Sequence, residues 1–379
     1  MERVDLVIVG GGLAGGLCAL AMGQRRPTFS LLLIEPGATI GGNHLWSFFD
    51  SDVASEHRWL VEPLIGHRWQ GYDVAFPAHA RRLEASYQTI ESEALDRAVR
   101  AALPAQAILR AAVSDLGPTH VILADGRRIE AGAVLDVRGG KGEGLDLGWQ
   151  KFLGQLLTIP QGHGLTRPIV MDATVEQLDG YRFVYCLPFS PTELFVEDTY
   201  YSATPDIDAE AYRDRIGDYA AAQGWQIARR SREEQGALPV VMGGDFDKFW
   251  PIADPVPRGG ARAGLFHPLT SYSLPDAVRF AAWLATEAPL DATLGQATRD
   301  RARAHWTQGR YYRLLTAMLF RAAEPARRYA VLERFYRLSG LLIGRFYAGQ
   351  STLSDKLRIL SGKPPVPIIR ALKVLRTFL

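Results

Sequence analysis

The segment "LFVEDTYYS", Leu194 to Ser202, sets two adjacent carboxylates, Glu197 and Asp198, inside an apolar, aromatic run, with no Lys or Arg between Arg182 and Arg213. A carboxyl group in such surroundings loses its water; the charged form suffers most, and the pKa rises. It then keeps its proton near neutrality and serves as a general acid. Side chains of a strand alternate between faces, so Phe195, Glu197 and Thr199 share one face, and Leu194, Val196 and Asp198 the other. Both acids cannot enter one pocket unless the strand bulges. Phe195, Tyr200 and Tyr201 are expected to line the site. A solvated strand edge carrying both acids is the plain alternative.

A second set of residues points to phosphate chemistry. "DLVIV" is a continuous apolar, β-branched run, as in a strand buried on both faces of a parallel sheet. Gly10, Gly12 and Gly15 follow as G-x-G-x-x-G at the turn into a helix. Gly10 permits the turn, Gly12 lets the backbone approach a pyrophosphate, and Gly15 lets the helix pack on the strand. The pyrophosphate would sit on the helix N-terminus, where free N–H groups favour anions. A second apolar strand, "LLLIE", ends in Glu35, placed for a ribose hydroxyl. Together these predict a dinucleotide site.

The elements that must position these groups are legible in outline. "VILADGRRI" reads as a hairpin turning at Asp125-Gly126. "RFVYCLPF" and "ELFVEDTYY" suggest an antiparallel sheet. Asp208–Gln223 predicts a helix with Asp206 or Asp208 as cap and Gly224 as stop, and "SYSLPDAVRFAAWLA" a helix with Ser273 as N-cap and Pro275 in its first turn. From about Leu290 the pattern is helical and basic.

A chain of 379 residues with 47% hydrophobic and 22% charged content is globular and exceeds one simple core. Two cysteines, Cys18 and Cys186, exclude a disulfide scaffold and fit a reducing compartment. The leader is partly acidic and its apolar run is broken by glycines, unlike an export signal. No run suits a bilayer span, so a cytoplasmic protein is expected. His44 and His267 lack companions at ligand spacing, and no metal is expected. The net charge of +2 hides an asymmetry: Arg301 to Leu379 holds sixteen Lys/Arg against three Asp/Glu. In "VPIIRALKVLRTFL", Arg370, Lys373 and Arg376 form one helical stripe, and Ala371, Leu372, Val374, Leu375 and Phe378 the opposite face. That pattern suits either a helix packed on its own core or docking to anionic lipid. Nucleic acid is not an expected partner, since no recognised module accompanies the charge.

Several segments carry a family resemblance: "GGNHLWSFFD", "GYRFVYCLPFSPTELFVEDTYY", "REEQGALPV", "RAGLFHPLTSYSLP" and "RFYAGQSTLSDKLRILSGKPPVP". Across nearly its whole length the chain resembles the bacterial flavoprotein lycopene β-cyclases. Leu45, Phe49, Val137 and Ser271 stand where that pattern has Thr, His, Gly and Gly. The resemblance implies an α/β fold: a Rossmann-like FAD-binding domain of the p-hydroxybenzoate-hydroxylase kind, an interleaved antiparallel-sheet substrate domain, and a C-terminal helical region. The expected boundaries are 1–80, 86–148 and 252–289, then 149–251, then 290–379.

The resemblance further implies a redox-neutral isomerase that closes β-ionone rings on lycopene and related linear carotenoids, docked at the inner face of the membrane. FAD would act in reduced form, with NAD(P)H as reductant. Glu197 matches the family's essential acid, as proton donor or cation stabiliser; Asp198 beside it is the second catalytic candidate, or else a structural acid binding backbone N–H groups. Gly10, Gly12, Gly15, Glu35, Gly41, Gly42, Asp136, Gly264, Pro268 and Ser271 are expected at the cofactor. His44, Trp46, Phe48, Tyr185, Phe195 and Glu234 are expected at the substrate pocket. The competing expectation is a FAD-dependent monooxygenase or reductase acting on a hydrophobic isoprenoid.

Overall fold

The computed structural model describes residues 4–140, 142–362, 365–376 and 378. The first three residues of the leader, Lys363 and Pro364 of the last matched segment, and Thr377 and Leu379 of the basic terminus lie outside them.

The strand read from "DLVIV" lies inside a six-stranded sheet. Its order is Ile108–Leu109, Leu31–Ile34, Val4–Val9, Arg128–Asp136, His120–Leu123 and Val113–Leu116. The first four strands are parallel. Leu6, Val7 and Ile8 are wholly buried because both faces of that sheet are covered. On one side, Leu17 and Cys18 of the helix Leu13–Arg25 share a core with Val278 and Ala281 of the helix Leu274–Thr286. The expected hairpin forms: Gly126 takes φ 86°, and Arg127 N–H donates to Asp125 Oδ1 at 3.0 Å.

A seven-stranded sheet runs in the order Arg229–Gly244, Leu145–Thr158, Glu193–Ser202, Tyr181–Pro188, Ile169–Asp172, Tyr72–Phe76 and His79–Leu83. Tyr72–Phe76, which the expected division assigned to the nucleotide unit, is hydrogen-bonded into this sheet through Ile169–Asp172. Pairing between distant strands decides that, and composition along the chain does not reveal it. A small sheet of Leu45–Phe49, Tyr87–Glu91 and Ile65–Trp69 completes the β structure.

The two faces of the large sheet meet different partners. Leu194, Val196 and Tyr200 pack with Tyr212 and Ile216 of the helix Ala209–Ala222, capped by Asp208 through Ala211 N–H as the sequence suggested. Phe195 and Tyr201 pack with Phe335, Phe346 and Tyr347 of the C-terminal helices. Those helices therefore form a lid over the inner face. The last of them, Ile368–Arg376, buries Val374 but leaves Ile368 at 61%, Ile369 at 73% and Leu372 at 53% exposure. Leu372, expected on the packed face, is outside; the helix is seated on Ala371, Val374 and Leu375, a narrower stripe than the sequence suggested.

Glycine is required at one place in this sheet. A Cβ on Gly154 would fall 2.2 Å from Cζ of Phe195, whose ring lies over the strand there. Gly154→Ala should force the ring aside and destabilise the protein by about 1–3 kcal/mol, read as a lower midpoint in denaturant.

Candidate functional site

Register brings the acids to their places. Glu197 is paired with Tyr185 on one side and Gly154 on the other, and Gly154 in turn with Glu234. Tyr185, Glu197, Gly154 and Glu234 thus form one cross-strand row, and paired residues share a face. Tyr185, Glu197 and Glu234 of this row line a cavity of 140 Å³ together with Trp46, Tyr201 and Ser271. Glu197 is half-buried, on the wall of this cavity.

Burial pushes Glu197 up to about 7, against a hydrogen bond that Thr199 Oγ1 donates to Oε1 at 2.6 Å and with help from the Asp198 charge. Burial, and then the charge of Glu197, push Glu234 up to about 8. Leu45 N–H donates to Glu234 Oε2 at 2.9 Å, tying the small sheet to the large one. Tyr185 Oη donates to Tyr87 Oη at 3.0 Å, and Tyr87 Oη lies 3.1 Å from Tyr272 Oη. These hydroxyls are buried and held neutral, so they offer fixed dipoles to the cavity.

Asp198, expected beside Glu197 as catalytic, faces the other way. Arg182 Nε donates to its Oδ1 at 2.7 Å and Tyr200 Oη to its Oδ2 at 2.7 Å, all behind the strand. Burial raises its pKa and Arg182 opposes the rise. The cation that seemed absent from the segment comes from the neighbouring strand. Tyr200 belongs to that rear face too, so it does not line the site as expected; Tyr201 does.

Among the other pocket candidates, Trp46, Tyr185 and Glu234 line the cavity. Phe48 is core, packed with Leu17 and Ile90 behind the small sheet. His44 is exposed, 6.3 Å from the Trp46 ring. Phe195 is 1% exposed and acts as packing over Gly154. The sequence reading missed Tyr87, Gln150, Phe152 and Tyr272, which also line the cavity. Gln150 and Phe152 were within reach, since they alternate with Gly154 on one strand; Tyr87 and Tyr272 arrive only through tertiary contact.

A second, larger cavity of 360 Å³ lies among the C-terminal helices and shares Met171, Tyr201, Thr270 and Tyr347 with the first. Its wall is almost wholly apolar and includes Ile368, Ala371, Leu372 and Leu375 of the terminal helix. The two cavities therefore adjoin, one walled by the exposed terminal helix and the other by the acid row. No described helix is long and apolar enough to cross a membrane.

The glycine loop fits a dinucleotide. Gly10 takes φ 109°, and a Cβ on Gly15 would fall 1.8 Å from Gly10 O. At Gly12 a Cβ would meet nothing within 4 Å, and no side chain caps the helix that starts there. That leaves first-turn N–H groups facing open space, as a pyrophosphate requires. Glu35 accepts N–H groups of Gly11 and Gly37, both at 2.7 Å, which sets its carboxylate at the loop. Gly41 and Gly42 take φ 87° and 68° at the turn into the small sheet.

Three further cofactor candidates are occupied by structural contacts. Asp136 is buried and holds Arg138 and Arg262 at 2.9 and 2.6 Å, tying two loops together. Pro268 accepts Val241 N–H at 2.8 Å and faces other cavities. Gly264, at φ 72°, ends a short helical turn. Ser271 does line the acid cavity, at φ 56°, and its Oγ donates to Pro239 O. The left-handed backbone accounts for the family pattern's glycine here; a serine bears about 1–3 kcal/mol of strain, offset by that hydrogen bond. Ser273 is the N-cap position of the following helix without a capping side-chain bond.

The family model described as "Lycopene cyclase protein" matches residues 5–373. The "Lycopene beta-cyclase" of Pseudescherichia vulneris is 48% identical over 96% of this chain and 95% of its own length. That of Pantoea ananas is 46% identical over 98% of each chain. Among solved structures, a geranylgeranyl bacteriochlorophyll reductase-like protein from Thermoplasma acidophilum superposes over 100% of each chain with TM-score 0.63 at 14% identity. p-Nitrophenol 4-monooxygenase from Pseudomonas putida covers 93% of this chain and 100% of its own with TM-score 0.63 at 15% identity. The architecture is therefore that of this oxygenase and reductase group.

The two neighbouring acids should respond differently to mutation. Arg182→Ala strands the Asp198 charge and should cost about 3–5 kcal/mol, whereas Glu197→Gln keeps shape without a buried charge and should shift the denaturant midpoint little.

Proposed function

The chain belongs to the lycopene cyclase protein family, and on that premise we propose that it is an isomerase that converts the open ends of lycopene into β-ionone rings at the Glu197 row. The observation that carries this reading is an acid with a raised pKa, without a cation beside it among the described residues, on the wall of a largely apolar cavity.

The reaction asks for a strong acid and then for help with a positive charge. Glu197 Oε gives its proton to the terminal alkene carbon. The π pair of the neighbouring alkene forms the new C–C bond, and the ring then sheds a proton, so atoms and electrons balance without a co-reactant. Desolvation keeps Glu197 loaded near neutrality. The cavity wall excludes water that would trap the cation, while the Tyr185 and Trp46 rings present π faces to it. FAD would be held by the Gly10–Gly15 loop and Glu35, with Ser271 beside it; reduced, and kept so by NAD(P)H, it would supply negative charge beside the cation without passing electrons to product.

A membrane-dissolved hydrocarbon needs a route to Glu197. Supporting one are the adjoining cavities and the exposed Ile368, Ile369 and Leu372 beside Lys373 and Arg376. This face docks on anionic lipid, about 1 kcal/mol per basic residue near the surface, and places the protein peripherally on the inner face of the membrane. A FAD-dependent monooxygenase or reductase on the same architecture is the second reading, favoured by the oxygenase and reductase likeness.

Expression in cells that accumulate lycopene should yield β-carotene of unchanged mass, and Glu197→Gln should lower product at least a hundredfold. Added oxygen or hydrogen in the product would select the second reading; unchanged lycopene would refute both. Removing residues 366–379 should weaken sedimentation with anionic liposomes, most clearly at low salt, and no change would exclude docking through this helix.

A further inference from the structure

Glu234 lies two strands from Glu197 in the same row, and the residue between them is Gly154. Their backbones are about 9–10 Å apart, two strand spacings, and no intervening side chain rises from Gly154. The Phe195 ring covers Gly154 on that face, so the two glutamates approach each other only through the cavity they both line. Leu45 N–H fixes one oxygen of Glu234 at 2.9 Å. Arg232, the nearest cation, is engaged by Glu93 at 3.1 Å and Glu91 at 3.6 Å.

From this geometry, and resting on the reading above, we propose that Glu234 shares a proton with Glu197, receives the proton shed by the new ring and returns the donor to its loaded state. Two carboxylates in one dry site cannot both ionise easily, so the pair titrates as a unit. In the cycle, Glu197 gives its proton to the alkene carbon, and the pair takes one back from the ring carbon. The pair ends each turnover with the protons it began with.

The groups facing the pair fit this assignment. Asp198 lies behind Glu197 and adds negative charge, while Thr199 Oγ1 donates to Glu197. Glu93 adds negative charge at Glu234, and Arg232 partly offsets it. The titratable groups around the rest of the wall are Tyr87, Tyr185, Tyr201, Tyr272 and Tyr347, all neutral at working pH because burial raises them. Burial holds both carboxyls above the usual carboxylate range, Glu197 pushed up to about 7 and Glu234 to about 8.

The test compares pH profiles of β-carotene formation by the whole protein and by Glu234→Gln and Glu234→Asp. Wild type should lose about two- to threefold between pH 6 and pH 8, and Glu234→Gln about tenfold, because Glu197 then titrates alone. Glu234→Asp should restore part of the wild-type profile. A Glu234→Gln enzyme that is slower at every pH, with an unmoved alkaline limb, overturns the assignment.

Infrared difference spectra of the protonated carboxyl stretch give a readout without turnover. Wild type should titrate in two steps and Glu197→Gln in one, at lower pH than the upper wild-type step, since the like charge is gone. Independent single steps in wild type and an unshifted Glu234 step in Glu197→Gln would also overturn it. Unchanged lycopene with wild type would defeat the functional reading alone, and the spectra would still decide the pair.

Discussion

A carboxyl group held out of water, with its own sequence neighbour paired to a cation and itself left without one, is the condition on which this molecule's chemistry depends. The alternation of a strand creates it. Asp198 turns to the rear and meets Arg182 and Tyr200, so its charge is spoken for. Glu197 turns to the front, where it accepts the Thr199 hydroxyl, pairs across the sheet with Gly154 and shares a cavity wall with a second acid, Glu234. A one-residue slip in register would exchange those environments and put the paired acid into the cavity.

Other parts of the fold keep that condition intact. The C-terminal helices cover the inner face with Phe335, Phe346 and Tyr347, which keeps bulk water from the row. Gly154 allows the Phe195 ring to fill space beside Glu197, so the acid is dried by packing as well as by the lid. The glycine loop and Glu35 belong to a different sheet, but the small sheet joins the two regions through Leu45 and Glu234.

What could be read from the chain beforehand follows the range of the interactions. The glycine loop, the Asp125-Gly126 hairpin, the Asp208 cap and the facing of Glu197 against Asp198 depend on a few adjacent residues, and they were legible. Family membership was legible too, because it rested on several long segments and not on the glycine loop alone. Arg182 as the partner of Asp198, the alignment of Glu234 across Gly154, and the arrival of Tyr87 and Tyr272 depend on strand pairing and packing across the fold. Periodicity has no access to these. Phe48 and His44 show the opposite failure: neighbours of Trp46 in a matched segment, they were carried toward the pocket, yet alternation and exposure send one to the core and one to solvent.

A route through the two adjoining cavities has a kinetic consequence for the proposed reaction. It leads to a single acid row, whereas a linear carotenoid has two equivalent termini. The termini must be presented in succession, so a half-finished molecule has to back out and reverse between them. Escape into the lipid phase then competes with re-threading. On the proposed route, the balance of monocyclic to bicyclic pigment is set at the second cavity, whose wall includes Leu372 and Ile368, and not at the proton itself.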